Sequence, residues 1–180
     1  MNERATFPLA VQLRSHGGAP LGDVFAFMSG LYFRGKLEYA RRFAAEEHIR
    51  IITTDRGLLA PSVHVHADDL RAFGDVDLAK PDARYLEPLR RDIHALDAAA
   101  SIVLLGSIAT GKYVDILIET LADRLLFPAE FVGRGDMSRG GLLLRHAREG
   151  TPLGYVPVLG AVRHGKRPPK LPALDTRSPT

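Results

Sequence analysis

"IVLLGSIATGKYVDILIETL", residues 102–121, runs an apolar stretch into a glycine turn and then into an amphipathic segment. Gly106, Gly111 and Lys112 keep the spacing Gly-x-x-x-x-Gly-Lys, but position 113 holds Tyr where the phosphate loop of an NTPase carries Ser or Thr. A strand, a turn and a helix in that order bring backbone N–H groups and the positive end of the helix dipole to one point, where anions bind. Tyr113 does not replace a compact hydroxyl on Mg²⁺, and the next apolar run, "RLLFPAE" (124–130), ends in Pro128 and Glu130 rather than an Asp. The stretch therefore predicts a strand–turn–helix unit without Mg²⁺-dependent NTP hydrolysis. Two readings of its turn stay open: an anion or ribose-phosphate site, and a tight turn whose glycines let strand and helix pack.

Outward from this unit the same alternation repeats. "DVFAFMSGLYFRGKLEYARRFAAEEH" (23–48) spaces Leu37, Ala40, Phe43 and Ala44 at helical intervals. "IRIITT" (49–54) reads as a short buried strand ended by "DRGLLAP". Residues 61–82 read as a polar excursion, and "DARYLEPLRRDIHALDAAA" (82–100) as a helix that starts or bends at Pro88. "LLFP" (125–128) is a third strand, "GLLLRHAREG" (141–150) a further helix and "LGYVPVLG" (153–160) a last strand. Strands separated by crossover helices are best satisfied by an α/β fold, here a single domain over 1–162. The expectation is a mainly parallel sheet of four to six strands with helices on both faces. Residues 163–180 read as a basic, proline-rich C-terminal tail.

The chain has 180 residues, 46% hydrophobic and 25% charged, which suits one core of ordinary size. Cysteine is absent, which excludes disulfides, thiolate nucleophiles and Cys-ligated metals. With no apolar run near the roughly 18 residues of a spanning helix and no secretory leader pattern, the setting expected is cytoplasmic, with no membrane partner. The net charge of +3 decides little by itself, but Arg134, Arg139, Arg145, Arg148, Arg163, Lys166, Arg167 and Lys170 make the C-terminal third the basic side.

Three segments, "SGLYFRGKLEYARRFA" (29–44), "IRIITTDRGLLAP" (49–61) and "IVLLGSIATGKYVDILIETL" (102–121), resemble in order and spacing the small bacterial YaaA-like proteins. "FPAEFVGRGDMSRG" (127–140) is similar in place to that family's glycine-rich segment. The resemblance spans roughly residues 22–145. It departs at "TTDRG", where Asp55-Arg56 stands in place of a Lys followed by an aromatic or His. It implies an α/β fold with a cationic cleft, related in outline to base-handling enzymes such as uracil-DNA glycosylases, and nucleic-acid binding without an established reaction.

In a parallel α/β sheet, ligands bind outside the carboxyl ends of the strands. Four segments are expected to meet there. The first offers Tyr32, Arg34 and Lys36, and the second Asp55 and Arg56. The third offers Gly106, Ser107, Thr110, Gly111, Lys112 and Tyr113, and the fourth Arg134, Asp136, Ser138 and Arg139. Arginines fork onto phosphates, glycine N–H groups approach closely and tyrosines stack on bases. This set points to a nucleic-acid- or nucleotide-binding protein. The alternative is an enzyme acting on an N-glycosidic or phosphate-bearing substrate, with Asp55 or Asp136 as general base. Asp136 equally suits a helix cap, and Asp55 an ion pair with Arg56. His64 and His66 in "VHVH" sit at the spacing of two ligands on one strand face, but no third ligand accompanies them. No metal and no cofactor are expected.

Overall fold

The computed structural model describes residues 5–172 except 79, 81, 99 and 110, and at 112 the backbone alone. Seven helices of more than one turn stand out among these residues: α1 (Pro8–Arg14), α2 (Leu21–Met28), α3 (Gly30–Phe43), α4 (Ala67–Gly74), α5 (Ala83–His94), α6 (Gly111–Leu121) and α7 (Asp136–Glu149). The strands are short: β1 (Ala19–Pro20), β2 (Ile51–Ile52), β3 (Leu58–Leu59), β4 (His64–Val65), β5 (Ile102–Val103), β6 (Leu125–Pro128) and β7 (Tyr155–Pro157).

The mainly parallel sheet of four to six strands is not what the chain builds. β1 pairs with β4 and β2 with β3, both antiparallel, and β5–β6–β7 form a three-stranded sheet in which only β5 and β6 run parallel. The physical reason lies in the turn after β2. Thr53 N–H donates to the Gly57 carbonyl at 2.8 Å, and Gly57 takes φ +70°. The chain therefore reverses on itself, and Ile51 and Ile52 find Leu59 and Leu58 as partners. A Cβ at position 57 would lie 2.6 Å from the Pro88 carbonyl oxygen, so the hairpin also fits against α5 only with glycine there.

Two further readings change. Residues 61–82 contain α4, whose first turn is fixed by the Asp69 carboxylate accepting from His66 N–H at 2.7 Å. Helix α5 starts well before Pro88, capped by the Asp82 side chain accepting from Arg84 N–H at 2.9 Å, and Pro88 lies inside it.

Two apolar clusters hold these elements. The larger joins Tyr39, Leu89, Ile93, Val114, Leu121, Leu125, Phe127, Phe131 and Leu143. The smaller joins Leu13, Leu21, Val24, Ile51, Val65 and Phe73 around α1, α2 and α4. Helix α3 lies against α7 in the same direction, since Gly35 meets Gly140 and Arg42 meets Gly150. The backbones touch: a Cβ on Gly35 would stand 2.7 Å from the Gly140 carbonyl oxygen, and one on Gly140 2.8 Å from that of Leu31.

Below this crossing the buried Tyr39 hydroxyl accepts from Leu153 N–H at 2.8 Å and shares a hydrogen bond with Tyr155. Burial, then the neighbouring Tyr39 hydroxyl, pushes Tyr155 above the usual phenol range. Tyr39→Phe strands the Leu153 N–H in the core and is expected to lower stability by about 1–3 kcal/mol. Denaturant unfolding checks this, and a loss under about 0.5 kcal/mol would show that the amide finds another acceptor. Among the described residues no helix is long and apolar enough to cross a membrane.

Candidate functional site

Because α3 and α7 run in the same direction, their N-terminal ends lie together, and the loop after β5 comes up beside them. Tyr32, in the first turn of α3, donates its hydroxyl to the Leu105 carbonyl at 3.1 Å. Lys36, one helical turn on, places its Nζ 4.0 Å from the centre of the Tyr32 ring. From α7, the buried Arg139 donates Nε–H to the Phe131 carbonyl at 3.2 Å and Nη1–H to Asp136 Oδ1 at 3.3 Å. Its guanidinium lies 5.7 Å from the Phe131 ring centre, and the Tyr32 ring meets Phe131 edge-on at 6.3 Å.

The electrostatics of this cluster follow from burial. Desolvation pushes the Tyr32 hydroxyl above the ordinary phenol range, opposed by Arg139. Desolvation also lowers Lys36 from 10.5 to about 8; Asp136 opposes the change and Arg139 adds to it. No described residue accepts a hydrogen bond from the Lys36 ammonium. The site therefore holds two cationic side chains, Lys36 and Arg139, against one carboxylate, Asp136, which is itself mostly exposed.

The glycine turn belongs to the same end of the molecule but is not open. Tyr113 reaches back and donates its hydroxyl to the Ser107 carbonyl at 2.8 Å. A Cβ on Gly106 would lie 2.5 Å from that hydroxyl, so the Tyr113 side chain packs directly against the glycine backbone of the turn. At the other glycine, the Asp115 carboxylate lies close over Gly111 and pairs with Arg163 at 2.9 Å. A negative charge beside the first turn of α6 opposes a second one there. Burial raises the Tyr113 hydroxyl above its ordinary value, and that of the nearby Tyr85 to about 12. Neither tyrosine expected to stack on a base presents a clear face: Lys36 covers Tyr32, and Tyr113 is folded into its own turn.

The structure thus brings together Tyr32, Gly106, Ser107, Tyr113, Asp136 and Arg139, from the first, third and fourth segments. Lys36 joins them from the next turn of α3, and its spacing from Tyr32 along one helix face is the sequence signal for it. Arg34 is exposed on α3. Thr110 and the Lys112 side chain lie outside the described residues. The second segment goes elsewhere. Arg56 pairs with Asp69 of α4 and lies over the Phe73 ring at 5.5 Å. Asp55 approaches Arg56 only to 3.9 Å, and its buried Oδ1 has no hydrogen-bond partner among the described residues. No hydrogen bond or ion pair between described residues joins this segment to the cluster.

Arg134 and Ser138 flank α7 on the side of the C-terminal segment. Arg134 donates to the Glu130 carbonyl at 3.0 Å, to Ser138 Oγ at 3.2 Å and to the Pro169 carbonyl at 3.4 Å. Among the described residues no group of three or more His, Asp or Glu is placed to hold a metal ion. His64 and His66 spend ring N–H groups on the Gly17 and His16 carbonyls, at 2.7 and 3.1 Å. No family model, curated protein or solved structure matches the chain.

Proposed function

We propose that the protein binds nucleic acid or a nucleotide-like ligand in a cytoplasmic setting. Its anion-recognising centre lies at the joined N-terminal ends of α3 and α7. The observation that carries this reading is the Lys36 ammonium, drawn out of water over the Tyr32 ring with no acceptor of its own among the described residues and with Arg139 as a cationic neighbour. A phosphate oxygen is the acceptor that Lys36 lacks among the described residues, and a bound dianion offsets the desolvation that depresses it. The likeness of three segments to YaaA-like proteins, and the basic character of the C-terminal third, support the same reading.

Phosphate binding needs Lys36 charged, and in the unliganded protein it loses its proton near 8. Affinity is expected to be full near pH 6.5–7 and to fall about tenfold by pH 9, as the charged fraction falls. Lys36→Met is expected to weaken binding at pH 7 by about 10- to 100-fold, the worth of a charge-assisted hydrogen bond, and to flatten the profile. The measurement is a titration of a labelled single-stranded oligonucleotide, and separately of a nucleoside monophosphate, from pH 6.5 to 9. A flat profile in the wild-type chain, or binding of neither ligand, would overturn the proposal.

One observation favours the second reading, an enzyme on an N-glycosidic or phosphate-bearing substrate. An amine that titrates near 8 is neutral often enough to serve as base or nucleophile at working pH. Asp136 and Asp55 remain the carboxylates that this reading would use. Release of free base or phosphate from a nucleotide, lost in Asp136→Asn while binding persists, is the result it requires.

A further inference from the structure

On the flank of α7 away from Lys36, the chain's C-terminal segment lies across the helix and closes a groove of about 350 Å³. Its polar lining is almost wholly cationic. Arg134, Arg145, Arg167 and Lys170 contribute to it together with Ser138, and among the described residues no lining residue is acidic or aromatic. Two of the cations hold the segment in place, Arg134 on the Pro169 carbonyl and Arg145 on the Pro172 carbonyl. The other two are exposed, and no described residue forms an ion pair or hydrogen bond with Arg167 or Lys170. The Nε–H of Arg145 is buried without any hydrogen-bond partner among the described residues. An orphaned, buried guanidinium N–H costs free energy until an acceptor reaches it.

Four cations around one concave surface repel one another unless an anion lies between them. The prolines at 168, 169 and 172 keep the segment extended, which spaces Arg167 and Lys170 along it instead of folding them onto one point. Without an aromatic platform the groove has nothing to stack a base on, so it reads charge and spacing rather than sequence.

We infer that this groove is a second anion site, which takes successive backbone phosphates of a nucleic-acid strand independently of its sequence. The inference rests on the nucleic-acid reading above and extends it: the Lys36 centre takes one phosphate-bearing unit, and the groove grips the strand that continues from it.

The test uses the full chain and a labelled oligothymidylate, titrated over a range of salt concentrations. The Arg167→Gln/Lys170→Gln double variant changes exposed side chains without structural partners among the described residues, so its fold should persist; circular dichroism checks that. It is expected to weaken binding about tenfold or more at low salt and to reduce the steepness of log Kd against log salt by about 1.4, about 0.7 for each lost contact to a single strand. The fall in affinity above pH 8 should survive in this variant, while Lys36→Met loses that fall. This separates failure of the groove from failure of the Lys36 centre. An unchanged salt slope in the double variant overturns the groove. So does inorganic tripolyphosphate that binds there and is not displaced by the oligothymidylate, which would identify a site for small polyanions.

Discussion

Lys36→Met is expected to unfold at higher temperature and higher denaturant concentration than the wild-type chain at pH 7, although it should bind ligand less well. Lys36 is lowered from 10.5 to about 8 by being taken out of water, and each pH unit of displacement is worth about 1.4 kcal/mol. Below pH 8 the side chain is charged in both the folded and the unfolded protein, and the whole penalty, up to about 3 kcal/mol, stands against folding. Above about 10.5 it is neutral in both, and the penalty has gone. Wild-type stability should therefore gain as pH rises from 8 to 10.5, and the advantage of the methionine variant should close over the same range. Tyr32 and Tyr155, whose folded values lie above the ordinary phenol range, lose stabilising effect above pH 10. Only the difference between the two proteins isolates the lysine. A methionine variant no more stable than wild type at pH 7 would mean that water or Asp136 already satisfies the ammonium, and the anion site would lose its main support.

The second large effect is expected at the helix crossing. Gly140→Ala places a methyl group 2.8 Å from the Leu31 carbonyl oxygen and 2.8 Å from the Tyr32 Cα, all backbone atoms that no rotamer change moves. Helix α7 must shift away from α3, and overpacking of this kind costs about 1–3 kcal/mol or more. Gly35→Ala meets the Gly140 carbonyl oxygen from the other side and should behave alike. Because both changes press on one contact, the double variant should lose less than the two single losses added together. Binding should suffer as well, since Tyr32 and Lys36 ride on one helix and Asp136 and Arg139 on the other. Denaturant unfolding of the four proteins tests this; a Gly140→Ala variant as stable as wild type would show that the helices separate at no cost.

How much of this was legible depends on the range of the forces involved. The apolar spacing of Leu37 and Phe43 in α3, and the glycine turn leading into α6, are local signals, and the structure keeps both elements. Helix α4 was hidden because Leu70 and Phe73 are its only large apolar residues and its start is fixed by a His66–Asp69 arrangement rather than a Ser or Thr cap. The sheet was misread for a different reason. A short run such as "IRIITT" looks the same whether its partner is a distant parallel strand or the next few residues, and the turn at Gly57 decides for the latter. At the site, glycines and cations were visible as residue types. The sequence could not show that Arg56 turns toward Asp69, or that Tyr113 fills its own turn. Both outcomes depend on which neighbours the finished packing supplies.

The side-by-side placement of α3 and α7 also bears on how the molecule is made. Tyr39 and the Leu153 amide that it accepts from are 114 residues apart in the chain, and the crossing at Gly35 and Gly140 joins similarly distant segments. During vectorial synthesis α3 emerges before α7, and the face it lays on α7 waits until that later helix has also left the ribosome. Such late closure of distant segments slows folding and leaves a glycine-lined surface open to the wrong partners meanwhile. The end of the molecule that carries Lys36 and Arg139 is thus assembled only once both helices have been made.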